Sequence, residues 1–316
     1  MTEPRHVDVL VPTVGRDTLQ RALDSAPASL LGDDVVLHLH VVEDTDRRGP
    51  AWARNRAAER GTAPFIALLD DDDCWLPGRF RLALDVLDAR GDVALVCGEA
   101  LPAEGGLFLA KDPRGSGRPA EIAPGDHPHE DLVLDCFVAA STATLRRADW
   151  EDAGGMDESL RQAEDYALWL TLTRRGRLVH VLPDSLARLG PADLSSRPGA
   201  AAATLAALER CALAVPDARR GPLLAVMAFE ARKEGRSADA RALARQALAA
   251  APRAALSWKA ALRALEDAGL TWSDIDAVVM GKAPDMFEGV VNPGLFLAGA
   301  LGATGLPFLR VHTAGS

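Results

Sequence analysis

PFIALLDDDDCWLP, residues 64–77, is the stretch on which the reading of this chain turns. Six residues of strand type, 64–69, run without a break into Asp70, Asp71, Asp72 and Asp73. Neighbouring carboxylates repel one another, so an acidic run ordinarily lies in a solvated loop; here it ends a strand. On the N-terminal side, β-rich runs at 6–12 and 34–42 flank helix-like apolar spacing over 17–31 (Leu19, Ala22, Leu23, Ala26), and a second helix at 51–60 closes at Gly61. On the C-terminal side come a helix at 77–90, a strand at 92–97 and an irregular Gly- and Pro-rich stretch from about 102 to 130. A strand or helix start at 136–145, a helix at 163–174 and a strand at 177–183 follow. Strands alternating with helices predict a parallel α/β sheet. Ligands of such sheets bind beyond the carboxyl ends of the strands, which places Thr13, Asp44 and Asp70–Asp73 along one edge. A divalent cation there would neutralise the acidic run. Mg²⁺ or Mn²⁺ takes one or two carboxylates plus substrate phosphates, so the run suits a nucleoside diphosphate ligand.

The composition narrows the function further. The chain has 316 residues, which predicts about two domains. With 35 basic and 45 acidic residues its net charge is −10, so it lacks the cationic surface of a general nucleic-acid binder. Aromatic residues are 5%, with Tyr166 the one tyrosine, which argues against a base-stacking platform. The four cysteines form no CxxC pair, so neither a zinc site nor a disulfide framework is expected, and a reducing cytoplasm is. MTEPRHVDVLVP carries Asp8 inside its apolar run and does not read as a signal peptide. Between Glu288 and Arg310 lie 21 uncharged residues, broken by Asn292, Pro293, Pro307 and five glycines; they read as a buried helix with loops, and no transmembrane segment is expected. His38 and His40 share one strand face and read as packing residues, and Trp75 as a core or loop anchor. After residue 199 the chain is Ala-rich, with helices expected at 200–214, 222–234, 237–250 and 254–267. They read as a tetratricopeptide-like hairpin or a plain helical bundle.

VDVLVPTVGRDTLQRAL, VVEDTD, GPAWARNRAAERGTAPFIALLDDDDCWLPGRF and AGGMDESLRQAEDYALWLTL occur in that order. Together, over about residues 5–190, they resemble glycosyltransferase family 2. The resemblance implies an α/β GT-A fold with a mixed, mainly parallel sheet, and sugar transfer from a nucleotide-diphosphate donor with inversion. It implies that Pro12 and Thr13 lie at the nucleotide and that Asp44 contacts base or ribose. Arg54 and Asn55 belong to an ARN element near the donor. Asp70, Asp72 and Asp73 match the family's acidic motif, with Asp72 the first choice and Asp73 the second for binding Mg²⁺ or Mn²⁺; Asp71 can face the ribose. Glu164-Asp165 matches the pair that carries the catalytic base, Asp165 favoured over Glu164. The chemistry requires this set: a carboxylate accepts the proton of the acceptor hydroxyl, and a cation stabilises the departing diphosphate. The plain alternative for Glu164 is an acid complementing a helix N-terminus.

One departure stands out. Where family members often have Arg-x-His, this chain has Arg188 and then Gly190. Two rival readings follow: a nucleotidyltransferase on a similar fold, and a catalytically idle binding or scaffold protein. The acceptor, whether glycan, lipid or small molecule, is not readable. Residues 264–316 resemble an N-terminal fragment of a thiolase-like protein of the lipid-transfer branch. No cysteine follows Cys211, so no thiolase activity is expected; the apolar strands of this segment call for packing on the helical region or a homo-oligomer contact, or else stay poorly ordered. The resulting division is a transferase domain at 1–195, a helical region at 196–263 and the thiolase-like segment at 264–316.

Overall fold

The computed structural model describes residues 3–30, 34–110, 121–191, 200–211 and 217–251. The thiolase-like segment, the helix expected at 254–267 and the uncharged run after Glu288 lie outside the described residues. The chain divides into two compact units, 1–215 and 216–316.

The first unit is built on an eight-stranded sheet. Its elements in chain order are β1 (Arg5–Thr13), α1 (Leu19–Ala28), β2 (Val35–Glu43), α2 (Pro50–Ala58), β3 (Phe65–Leu68), β4 (Cys74–Trp75) and α3 (Arg79–Ala89). There follow β5 (Val93–Leu101), β6 (Gly125–His127), α4 (His129–Leu134), a 3₁₀ turn (Ala140–Thr142), β7 (Thr144–Arg146), α5 (Arg147–Ala153), α6 (Glu164–Thr173), β8 (Leu178–Arg188) and α7 (Ala200–Cys211). The strand order is β2-β1-β3-β7-β5-β8-β4, with β6 beside β8. The long pairings β1–β2 and β5–β8 are parallel, as is β1–β3. The antiparallel pairings of β7, β4 and β6 are short.

Alternation along β1 explains its place at the centre. Val7, Val9 and Val11 are fully buried against Ala22 and Ala26 of α1, as the period of two requires. The opposite face carries Asp8, 1% exposed. Burial pushes its carboxyl upward, but His40 (2.7 Å), the Ala63 N–H (2.8 Å) and Arg147 (2.6 Å) hold it below the usual range. His40, expected as a packing residue, is thus spent on the buried Asp8 carboxylate. β3 is buried at all four positions, as a central strand covered on both faces should be.

Two elements differ from the sequence expectation. The strand expected at 177–183 continues to Arg188, because Leu186 and Ala187 enter the core and Ala187 and Arg188 pair with β5. The stretch 136–145 becomes a 3₁₀ turn and then an antiparallel strand between β3 and β5, so the sheet is mixed and not wholly parallel.

β2, β1 and β3 run in register, Thr13 opposite Glu43 and Leu10 opposite Leu68. Their carboxyl ends therefore share one edge, and Thr13, Asp44 and Asp70 sit on it. In the second unit α8 (Asp217–Lys233) and α9 (Ser237–Ala250) pack through Ala225, Ala228, Ala244 and Ala247. Small side chains let the two helices approach closely. No helix among the described residues is long and apolar enough to cross a membrane.

Candidate active site

The acidic run leaves β3 as a tight turn, the Asp73 N–H donating to the Asp70 carbonyl at 3.1 Å. Asp71, Asp72 and Asp73 are buried, 5–7% exposed. The partners of the four carboxylates come from different parts of the chain, and Asp71 and Asp72 share one of them, Arg16.

Asp70 accepts from Arg54 Nη2 at 2.5 Å, and its N–H donates to Ser141 Oγ at 3.0 Å. Asp71 accepts from the Thr13 hydroxyl at 2.6 Å and lies 3.1 Å from Arg16 Nη1. Asp72 accepts from Arg16 Nη1, while Arg21 Nη2 donates to its main-chain carbonyl at 2.9 Å. Asp73 accepts the Gly190 N–H at 2.7 Å. Burial raises the Asp72 carboxyl, with Asp70 and Asp71 adding to the effect and Arg16 opposing it. Burial pushes Asp73 to about 7, reinforced by Asp70, against the Ser141 and Gly190 hydrogen bonds.

Arg54 joins this turn to α6. Its Nη1 donates to Glu164 Oε1 at 2.6 Å while Nη2 holds Asp70. Arg54 is 3% exposed, and Glu164 is 5%. Glu164 is thus committed to an arginine, whereas Asp165 has no ion pair among the described residues and accepts the Tyr166 N–H at 2.7 Å. Desolvation pushes the Asp165 carboxyl up to about 7, with Glu164 and Asp70 adding, although Arg54 pulls the other way. A carboxyl poised near neutrality suits general-base work.

The other residues singled out from sequence have plainer surroundings. Pro12 pairs with Val42 in the sheet. Asp44 accepts the Arg48 and Gly49 N–H groups at 2.8 and 2.7 Å and so shapes the turn after β2. Asn55 lies away from the acidic run: it donates to the Met156 carbonyl and accepts the Met156 N–H, both at 2.9 Å. Gly155 has φ +73° there, and a Cβ would come within 2.7 Å of Asn55 Oδ1. Trp75 is buried and donates from Nε1 to the Ser141 carbonyl at 2.9 Å.

Sequence reasoning missed Arg16, Arg21, Ser141 and Arg79. Arg79 is fully buried and donates to the Ser141 and Ala143 carbonyls at 2.7 and 2.8 Å, its guanidinium over the Trp75 ring. Desolvation lowers it to about 9. It fixes the turn whose Ser141 supports Asp70. Arg16 lies inside a block quoted for the family, where only its position hinted at a role.

Gly190 has a steric cause. A Cβ there would lie 2.4 Å from the Asp72 carbonyl oxygen and 2.9 Å from Asp72 Cβ. The chain just beyond β8 crosses directly over the acidic turn, and a histidine has no room. Gly190→Ala is expected to destabilise the first unit by about 1–3 kcal/mol. Thermal unfolding should register a lowered midpoint; an unchanged one would mean that the crossing is looser than described.

Residues 33–113 match the family described as Glycosyl transferase family 2. TuaG of Bacillus subtilis (strain 168), assigned to teichuronic acid biosynthesis as a glycosyltransferase, is 28% identical over 150 residues, 47% of this chain and 55% of that protein. The UDP-Glc:alpha-D-GlcNAc-diphosphoundecaprenol beta-1,3-glucosyltransferase WfgD of Escherichia coli is 23% identical over 127 residues, covering 40% and 45%. The chain thus spans about half the length of these curated relatives. The crystal structure of S. aureus TarS 1-349 superposes with a TM-score of 0.52 at 14% identity, covering 83% of this chain and 80% of that one. At that identity the likeness concerns the fold, which is the GT-A type: α/β, with a mixed, mainly parallel sheet between helices.

Proposed function

We propose that the first unit is a nucleotide-sugar-dependent glycosyltransferase of family 2 type, metal-dependent and inverting, that moves a sugar onto an acceptor hydroxyl. The observation that carries this reading is the Arg54 bridge, which brings the Glu164–Asp165 pair against Asp70 at the carboxyl ends of the strands. The match of residues 33–113 to the family supports it.

In this reading Asp165 takes the proton of the acceptor hydroxyl as the new bond to carbon forms, and Glu164 serves as the anchor for Arg54. Thr13, Asp44 and Asp71 line the edge where the nucleoside lies; Pro12 ends the strand beneath it, and Asn55 holds the Met156 turn in place. Among the described residues no three His, Cys, Asp or Glu side chains are grouped to hold a metal ion by themselves. Asp72 fits one nonetheless: its side-chain partner is a long arginine, and Mg²⁺ or Mn²⁺ needs only one or two carboxylates when substrate phosphates complete its shell. Asp73, turned to Gly190, supports that corner from below. When bound, the ion supplies electrostatic stabilisation of the leaving diphosphate. A cytoplasmic setting accords with Cys74, Cys97 and Cys136, which form no disulfide among the described residues.

The test is a panel of nucleotide sugars, scored by thermal shift with and without Mn²⁺ and then by product analysis. The expected result is one donor whose stabilisation needs the ion and whose turnover releases a nucleoside diphosphate. Release of inorganic diphosphate from a nucleoside triphosphate would favour a nucleotidyltransferase instead. No ion-dependent binding of any donor would leave a binding protein.

A further inference from the structure

Of the four carboxylates, three are held by parts of the chain that cannot easily move. Asp70 is tied to buried Arg54, Asp71 to the Thr13 hydroxyl at the end of β1, and Asp73 to the main chain at Gly190. Asp72 differs. Its side chain is met by Arg16, which comes from the turn between β1 and α1 and whose own side chain is 28% exposed. Arg16 spends a single nitrogen, Nη1, on both Asp71 and Asp72; its Nη2 and Nε make no hydrogen bond among the described residues. Half of a planar fork suited to phosphate oxygens is therefore unused. Arg21, also near, reaches only the Asp72 main-chain carbonyl.

We infer that Arg16 is a built-in counter-cation that competes with the divalent ion for Asp72 and gives way when a diphosphate offers it another anionic partner. The inference rests on the functional reading above for the identity of the ion and the diphosphate. Its physical basis is charge. A guanidinium beside Asp71 and Asp72 already neutralises much of what a divalent ion would neutralise, and two cations on one carboxylate repel strongly where water is scarce. The ion alone must displace Arg16 and leave it without a partner. With a diphosphate present, the arginine turns from carboxylate to phosphate and that cost disappears. Metal and nucleotide then bind with positive coupling, and the coupling is reciprocal by thermodynamic necessity. The consequence is an acidic site that takes up free metal poorly and fills only with a metal–diphosphate pair.

The experiment measures free Mn²⁺ by electron paramagnetic resonance on the full chain, without sugar and without turnover, in the absence and presence of UDP and, separately, GDP. For the unmodified protein we expect weak Mn²⁺ binding that tightens at least tenfold with one of the two nucleotides. Arg16→Gln should bind Mn²⁺ alone at least tenfold more tightly than the unmodified protein, and the gain from nucleotide should fall below threefold. Arg16→Lys keeps the charge and should keep most of the competition. Arg21→Gln removes a neighbouring charge that does not touch the carboxylate, and should change Mn²⁺ affinity by less than threefold. Circular dichroism melts confirm that each variant is folded. Mn²⁺ affinity unchanged or weakened in Arg16→Gln, equal tightening in Arg21→Gln, or no Mn²⁺ binding in any variant would each overturn the inference. Because no sugar is transferred in the assay, failure to find a donor leaves this result standing on its own.

Discussion

Asp165→Asn lowers turnover by about a thousandfold and at the same time raises the thermal midpoint at pH 8. The two halves of this expectation come from one cause. Desolvation and the neighbouring Glu164 and Asp70 push the Asp165 carboxyl from its ordinary 3.8 up to about 7. The folded protein therefore holds a proton at this site more tightly than the unfolded chain does. Stability from that site is fully present below about pH 4 and is lost as pH rises through about 7. Asparagine cannot ionise, so the variant escapes the loss. Its advantage over the unmodified protein should be largest at pH 8 and vanish by pH 4. The same shift makes the carboxyl a capable base, because a group near neutrality both binds and releases the acceptor proton readily. Initial rates with the donor identified by the panel, together with melts at pH 4, 6 and 8, check both halves. Glu164→Gln offers the contrast: Glu164 is engaged by Arg54, so its loss should disturb structure before chemistry. A fully active Asp165→Asn would remove Asp165 from the mechanism, and equal midpoints at pH 8 would mean that its carboxyl is not perturbed.

The shared edge at the carboxyl ends of the strands could be read from sequence because the signals that define it are local. A strand that runs into four acids, and two more strands that run out at Thr13 and just before Asp44, need only the parallel rule to fall on one edge. The pairings that make the edge into a site are not local. Arg54 meets Glu164 across 110 residues, and Arg16 meets Asp72 across 56. Nothing in the spacing of either partner announces the other. Ser141 carries no motif at all, yet it supports Asp70 from a turn fixed by Arg79. Asn55 shows the converse: it sits in a recognisable element, but its amide is spent on the Met156 turn. Gly190 lies between these cases. Its departure from the family pattern is visible in the sequence, whereas the reason, the close pass of the chain after β8 over Asp72, exists only in three dimensions. β4, two residues long, and β7, three residues long, are too short for periodicity to reveal.

Arg54→Met is expected to be the most damaging single change in the first unit. The side chain is nearly volume-matched and apolar, so packing loss is small and the electrostatic consequence dominates. Arg54 is 3% exposed and is bonded to both Glu164 and Asp70, with Asp165 close enough to raise its own affinity for a proton. Removing it strands three carboxylates around one buried corner. Deleting one partner of a buried pair costs about 3–5 kcal/mol, which lowers the midpoint of a unit of this size by roughly 10 °C. The deficit should depend on pH with a definite sign. Asp165 already ionises only near 7, and without the arginine its proton is held more tightly still. Stability is therefore retained where the carboxylates are protonated and lost as pH rises, so the variant should lie closest to the unmodified protein at pH 5 and furthest at pH 8. Combining Arg54→Met with Glu164→Gln removes one of the stranded charges, and the double variant should be more stable than Arg54→Met alone, a non-additivity that a double-mutant cycle measures. Turnover should be lost in both, because Arg54 is what holds the Asp70 turn against α6. If the deficit were the same at pH 5 and pH 8 and the two substitutions simply added, Arg54 would be acting through shape, and the bridge from the acidic turn to the proposed base would have to be abandoned.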